Sequence, residues 1–398
     1  MQLPIDCLNN IFEHLESDKV TLYSCLLVNR LWCKLSVRIL WSKIRNYNTL
    51  ISCLPNESKE ILLNNGILIT NSKPPIFNYA SFCKFLSIYE VNYNIKNILK
   101  RRYFISVQNL DDNIFIVSQE IFKLLMGQIP SLRKITFLGW SLKHITNFTS
   151  YFGARDCLKN LTELYCYSSI RTEFFYQLSQ VCHTLKTLKI IYKKVISSGL
   201  VDLVSVQQNL KYMCMYRFGL HKDLKDTINL ISKIPNTLIS INIYGGRMHP
   251  NISLSFISRF TKLQELILTF YSNEPYRDFS NLQYDIFPYL QRLEFKRECP
   301  DNDSLVNFLE INGKNLKEFY VRNSNNLLNL AIIKFCPNLR KLSTKFSNDE
   351  LDTLKLILNT CQYLENIDIF CKEYMNDLNL IEIVMKNVPK IHYKIILI

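Results

Sequence analysis

One apolar pattern, Leu-x-x-Leu-x-Leu with other apolar residues allowed, recurs along most of this chain and constrains its fold more than any other feature. It begins at Leu132, Leu161, Leu185, Leu210, Leu238, Leu263, Leu290, Leu316, Leu339, Leu364 and, in a weaker form, Val388. Successive starts lie 23 to 29 residues apart, with a mean of about 26. A unit of that length cannot bury its own apolar face, so neighbouring units must stack and share one continuous core. Well-formed examples are Leu185-Lys186-Thr187-Leu188-Lys189-Ile190 and Leu263-Gln264-Glu265-Leu266-Ile267-Leu268.

Each unit should hold a short strand, a turn and a returning helix. Helical spacing of apolar residues predicts helices at Phe174 to Val181, Leu305 to Ile311, Ile332 to Phe335 and Leu351 to Leu358. The period falls in the range of leucine-rich repeats. Cys182, Cys336 and Cys361 each stand three residues before the first Leu of a unit, as in Cys336-Pro337-Asn338-Leu339. This resembles the cysteine-containing subclass of leucine-rich repeats that often follows an F-box. Each of these cysteines belongs to a different repeat and no histidine array accompanies them, so burial at a helix end is expected in place of metal ligation.

The segment before the repeats reads as three short helices. Pro4 sits near the start of the first, whose Leu8, Ile11, Phe12 and Leu15 share one face. Asp18 can cap a second helix carrying Leu22, Cys25 and Leu26, and Asn29 a third carrying Trp32, Leu35, Ile39 and Trp41. About 42 residues are too few for an independent core, so part of the apolar surface should want a partner. The run Leu3-Pro4-Ile5-Asp6-Cys7-Leu8, then Ile11-Phe12 and Leu15, then Leu22, Leu26 and Val28-Asn29-Arg30-Leu31-Trp32 resembles an F-box from Leu3 to about Ile44. Asn29 stands where the family often has cysteine. The resemblance implies docking on the Skp adaptor of a cullin-RING ubiquitin ligase. It also implies that Leu3, Pro4, Leu8, Ile11, Phe12, Leu15, Leu22, Leu26, Val28 and Trp32 occupy adaptor-facing or bundle-core positions, roles the sequence does not separate.

Between these parts, Asn56 to Asn65 reads as a helix stopped by Gly66, Lys73-Pro74-Pro75 as a turn, Phe82 to Ile88 as a divergent first strand and Ile114 to Met126 as a helix. The expected organisation is an F-box at 1–45, a helical linker with divergent first repeats at 46–130 and a leucine-rich-repeat solenoid at 131–398. The fold class is an α/β repeat, a curved parallel sheet with outer helices behind a three-helix start.

Hydrophobic residues make up 48% of the chain and charged residues 21%, which excludes disorder as the dominant state. Met1 to Asp6 contains a proline and an acid with no cationic lead into an apolar stretch, and no run of 18 apolar residues occurs. The expectation is a soluble protein of the cytoplasm, the nucleus or both, without membrane contact. Thirteen cysteines include no Cys-x-x-Cys pair, and most should be reduced and buried. Asn-x-Ser/Thr triplets at Asn56, Asn147, Asn160 and Asn251 are then expected to stay unmodified. Phosphate-cradling, nucleophile-elbow and zinc-protease signatures are absent, and six histidines at 14, 144, 183, 221, 249 and 392 fall in different elements. The expectation is a non-catalytic protein with no cofactor and no metal.

The net charge of +14 comes from 48 basic and 34 acidic residues, with Lys100-Arg101-Arg102 as the densest run. The outward-facing residue after the third apolar position of each repeat runs Leu138, Tyr167, Ile191, Tyr216, Tyr244, Thr269, Lys296, Arg322, Lys345 and Phe370. Tyr165, Tyr192, Arg217 and Tyr271 support its first half, and Arg297 stands beside the basic second half. Tyr167, Tyr216, Tyr244, Lys296, Arg297, Arg322 and Lys345 are therefore candidate contacts to a target protein that presents an acidic or phosphorylated segment. A bland reading stands beside it, in which Tyr and Lys simply suit exposed strands and Glu294, Glu318 and Asp368 neutralise the cations. The leading functional expectation is the substrate-recognition subunit of a Skp, cullin and F-box ubiquitin ligase. The rivals are a repeat scaffold without a ligase role and a basic nucleic-acid-binding solenoid, the latter disfavoured because the charge is dispersed.

Overall fold

The computed structural model describes residues 3–68, 75–102, 107–138, 148–193, 195–218, 224–245, 253–371 and 392–397. They form two compact units, Met1–Cys166 with Ile170–Leu185, and Tyr167–Ser169 with Lys186–Ile398. Within the first unit the Ser42 carbonyl accepts hydrogen bonds from Lys84 N (2.8 Å) and Phe85 N (3.0 Å), and the Trp41 ring lies 4.3 Å from that of Tyr79. The helical start is thus stitched into the first unit.

That start is α1 (Ile5–His14), α2 (Lys19–Cys25) and α3 (Arg30–Leu40). Asp18 accepts from Thr21 N (3.1 Å) and Asn29 from Trp32 N (2.9 Å), satisfying amides that a helix start leaves open. Leu8, Phe12, Leu22, Cys25, Leu35, Ile39 and Leu40 form the small core, with Leu15, Leu26, Leu31, Trp32 and Trp41 partly buried against it. Phe12 meets Trp32 edge to face at 5.3 Å. Next come α4 (Tyr47–Ser52), α5 (Asn56–Asn64), α6 (Ile88–Arg102) and α7 (Val107–Gln128). Gly66 ends the turn after α5 with φ 74°, and Glu120 of α7, buried, accepts from Ser58 of α5 (2.7 Å) and pairs with Lys123 (2.5 Å). The first strand is shorter than expected, because Tyr79–Phe82 is a 3-10 turn and only Phe85–Ser87 is extended. Lys73 and Pro74 of the expected turn lie outside the described residues.

The first unit carries β1 (Phe85–Ser87), β2 (Lys134–Thr136) and β3 (Glu163–Tyr167), paired in parallel in that order. Its other helices are α8 (Ala154–Leu158) and α9 (Thr172–Ser179).

The second unit is a stack of strand–helix repeats. Its strands are β4 (Thr187–Ile191), β5 (Tyr212–Phe218), β6 (Ser240–Gly245), β7 (Glu265–Thr269), β8 (Arg292–Phe295), β9 (Glu318–Val321), β10 (Lys341–Lys345), β11 (Asn366–Cys371) and β12 (His392–Leu397). They pair in parallel in sequence order. The returns include α10 (Ser198–Ser205), α11 (Leu224–Ser232), α12 (Phe279–Leu282), α13 (Asn302–Asn312), α14 (Asn326–Phe335) and α15 (Leu351–Thr360), with a 3-10 turn at Leu254–Arg259. Helices α13 and α14 begin earlier than their apolar spacing suggested, because Asp301 and Asn325 cap them through Ser304 N and Leu328 N.

The repeating leucines are buried throughout: Leu185, Leu210, Leu238, Leu263, Leu290, Leu316 and Leu339 have no exposed surface. The last repeat corrects the eleventh start. Ile367 pairs with Tyr393 and Ile369 with Ile395, so the register begins two residues after the one that Val388 implied, and Val388 itself lies outside the described residues. Cys182, Cys336 and Cys361 follow their helices with amides bonded to Leu178, Ile332 and Ile357 carbonyls, and all three are buried.

Burial pushes the thiols of Cys83 and Cys157 up to about 12, and those of Cys182, Cys299 and Cys361 up to about 11, against an ordinary 9.0. The folded chain then keeps protons that the unfolded chain releases, so this contribution to stability is full below about pH 9 and is lost as pH rises toward about 11 to 12. The urea midpoint should be level up to about pH 9 and then fall, and Cys361→Ala should make the fall shallower. Equal alkaline slopes would show that Cys361 adds nothing.

Gly153 adopts φ 80°, and a Cβ there would stand 2.6 Å from the Met126 carbonyl oxygen and 3.0 Å from the Gly127 Cα. Backbone atoms cannot swing aside, so Gly153→Ala should destabilise the chain by about 1 to 3 kcal/mol, measured by urea unfolding.

Candidate recognition surfaces

Two surfaces stand out, and each lies within one unit. The first is the apolar exterior of the three-helix start. Leu8, Phe12 and Leu22 are 5%, 2% and 1% exposed, so of the ten residues singled out by resemblance these three are bundle core and cannot touch a partner without unfolding. Leu15, Leu26 and Trp32 are half-buried against that core. Leu3, Ile11 and Val28 are exposed, as is Pro4. Ile5, Val20, Tyr23 and Leu27 join them, Leu27 being 90% exposed. Helical spacing could not have found Leu27, which lies in the turn between α2 and α3.

The second surface is the outward row of the second unit. Strand register aligns Tyr216 with Tyr244, Tyr244 with Thr269, Ser343 with Tyr320 and Lys345 with Phe370. Continuing that register puts Lys296 and Arg322, the residues that directly follow β8 and β9, in one row with Lys345 at the end of β10. Tyr216 and Tyr244 rings lie 6.2 Å apart, and Tyr244 meets Tyr271 at 6.1 Å with their hydroxyls 2.9 Å apart. Arg297 sits 5.2 Å over the Tyr271 ring. The structure therefore brings Tyr216, Tyr244, Tyr271 and Arg297 into one cluster. Tyr167 is covered separately by Lys193 at 4.6 Å. Thr269, in the row between Tyr244 and Lys296, is buried.

Tyr192 departs from the expectation of support for the row. It is 1% exposed, and its hydroxyl faces the Met215 sulfur at 3.5 Å. The Arg217 side chain lies outside the described residues, as do His144, His221 and His249.

Neighbouring rows explain which cations remain available. Arg292 pairs with Glu294 (2.7 Å) and Glu318 (3.5 Å), and Lys341 pairs with Glu318 (2.8 Å). Lys296 also pairs with Glu294 (3.6 Å). Tyr320 donates to Glu318 (3.3 Å), and burial together with that carboxylate pushes its hydroxyl up to about 12. The expected neutralisation thus holds for Lys296 through Glu294. Asp368 instead accepts from Ser343 (2.9 Å). Among the described residues no carboxylate pairs with Arg322 or Lys345, and Arg322 lies 5.9 Å from the Phe370 ring. Arg292 and Lys341 were missed in sequence, since only strand register reveals that both reach Glu318.

Some repeats are also stitched by the residue just before the first Leu. Thr237 donates to the Leu210 carbonyl (2.7 Å), Asn315 to Pro288 (2.8 Å) and Asn338 to Lys314 (2.9 Å). A recurring Thr or Asn at that offset was the available sequence signal. Among the described residues no group of three or more His, Cys, Asp or Glu is placed to hold a metal, and no helix is long and apolar enough to cross a membrane.

No protein-family model matches the chain, and no curated protein matches it. Among solved structures it is similar to that of the yeast Rad7 and Elc1 complex, at 14% sequence identity and a TM-score of 0.40, over 76% of this chain and 86% of that one.

If the Tyr244–Tyr271 pair organises the aromatic cluster, Tyr271→Phe should leave stability within about 0.5 kcal/mol while Tyr271→Ala frees the Arg297 side chain. Arginine side-chain NMR checks this, and unchanged Arg297 guanidinium exchange in Tyr271→Ala would separate the two residues.

Proposed function

We propose that the chain is a substrate receptor of a Skp, cullin and F-box ubiquitin ligase. Its helical start docks on the Skp adaptor, and its repeat unit holds a target protein. The observation that carries this reading is the exposed apolar set Leu3, Ile5, Ile11, Val20, Tyr23, Leu27 and Val28 on a bundle whose small core is already closed. Scattered exposed apolar residues are ordinary, whereas seven within 26 residues of one helical segment mark a surface made to be covered. The F-box resemblance of Leu3 to Ile44 supplies the partner. The role is one of proximity: the adaptor holds one surface and the row of the second unit holds the target, so a lysine of the target meets the charged conjugating enzyme at raised effective concentration. No step of that role requires chemistry from this chain, which we take to be non-catalytic.

Ile11→Asp with Leu27→Asp should keep the helical circular dichroism and abolish capture of recombinant Skp adaptor. Burying each such side chain is worth roughly 1.5 to 3 kcal/mol, so losing both costs about a hundredfold or more in affinity. Leu8→Asp with Phe12→Asp should unfold the bundle instead, since both side chains are core. Adaptor capture equal to the parent by the folded Ile11 and Leu27 variant would overturn the docking assignment. Incubated with activating enzyme, conjugating enzyme and ubiquitin, the chain should form no reducible adduct, and a thioester on any cysteine would make it an enzyme.

A further inference from the structure

The outward row of the second unit is divided by chemistry in a way that defines a ligand. At one end Tyr216, Tyr244 and Tyr271 touch, with Arg297 over the last ring. At the other, Arg322 and Lys345 lack a carboxylate partner among the described residues. Between them Thr269 is buried and Lys296 is held by Glu294. We propose that this row reads an extended segment of a protein, with an apolar or aromatic side chain on the tyrosine cluster and a single anionic residue, carboxylate or phosphate, four to six positions away on Arg322 and Lys345. Calling that protein a ubiquitination target rests on the receptor reading above; the peptide site itself does not.

The spacing follows from the sheet. Tyr244 is on β6, Arg322 directly follows the last residue of β9 and Lys345 ends β10, three and four strand intervals apart. At about 4.8 Å per interval these are roughly 14 and 19 Å. An extended chain advances about 3.3 to 3.6 Å per residue, which gives four to six residues. Arg322 can grip two oxygens of one anion, and Lys345 adds a point charge beside it.

The same surroundings argue against a nucleic acid. Glu294 and Asp368 occupy the adjoining row and Glu265 and Glu318 the row beyond it, so carboxylates interrupt the continuous positive track that a run of phosphates needs. The tyrosine rings meet at 42° and 81°, so they offer no parallel faces for successive bases. A segment with one anion at one end avoids both penalties.

The test uses the full chain and fluorescein-labelled Gly/Ser peptides carrying one Trp and, at roughly two to nine positions from it, one Asp or one phosphoserine. Fluorescence polarisation should show the tightest binding at separations of four to six, and whichever series binds more tightly identifies the anion. Arg322→Gln with Lys345→Gln, which preserve side-chain bulk, should weaken the best peptide tenfold or more, as should Tyr244→Ala. Lys296→Gln should change it less than about twofold, because Glu294 already engages that lysine. Failure of every peptide to bind below about 1 mM, affinity independent of spacing, or an unchanged affinity in the folded Arg322 and Lys345 variant would overturn the proposal. So would tighter binding of a single-stranded oligonucleotide that the same variant abolishes. Adaptor capture, measured in parallel on that variant, keeps the two readings apart: peptide binding without adaptor capture by the parent chain sinks the ligase role and leaves the row standing.

Discussion

Everything in the second unit depends on the stacking of one buried apolar column on the next through parallel strand pairing. Leu266 lies beside Ile241 on one side and Leu293 on the other, and Leu268 likewise beside Ile243 and Phe295. A strand on its own leaves these side chains wet; the neighbouring strands and the returning helices remove them from water at roughly 1.5 to 3 kcal/mol each. Because side chains alternate across a strand, fixing the buried columns also fixes the outward ones. A slip of one residue would bury Lys345 and Arg322 and expose Leu342 and Val321. The outward row is therefore a by-product of the register that the core enforces.

Electrostatics then decides which members of that row are available. Glu294 and Glu318 stand in the two adjoining rows, and together they engage Arg292, Lys296 and Lys341. Two carboxylates among three cations stabilise the face at close range, with modest energy for groups that remain partly exposed. The consequence for recognition is one of position. Among the described residues, Arg322 and Lys345 are left without a carboxylate partner at the end of the row away from the tyrosine cluster, while Arg297 lies over the Tyr271 ring.

The three-helix start follows a different logic. Its core of seven residues is small, and its attachment to the first unit through Ser42, Trp41 and the Lys43 to Phe85 bridge does part of the work that a larger core would do. That attachment leaves α1, α2 and the turn at Leu27 with an uncovered apolar exterior. Burial inside and exposure outside are both apolar here, so hydrophobicity alone marks the segment without saying which side chain serves which purpose.

The amino-acid sequence determined the repeat, its period and the alternation of buried and outward positions, because the Leu-x-x-Leu-x-Leu spacing is itself the geometry of a strand with one buried face. It also determined the caps at Asp18 and Asn29, where a short polar side chain meets its own helix's amides. Tertiary structure alone decided the rest. Leu8 and Ile11 are three residues apart on one helix, yet only packing into the cluster that also holds Leu35 and Ile39 makes the first core and leaves the second exposed. Tyr192 and Tyr216 look alike in sequence, but the first turns inward to Met215 while the second joins the ring cluster. Arg292 and Lys341, 49 residues apart, share Glu318 because consecutive strands place them about one strand spacing on either side of it. Such pairings depend on distance through space, and a linear sequence carries no record of which distant carboxylate a cation will meet.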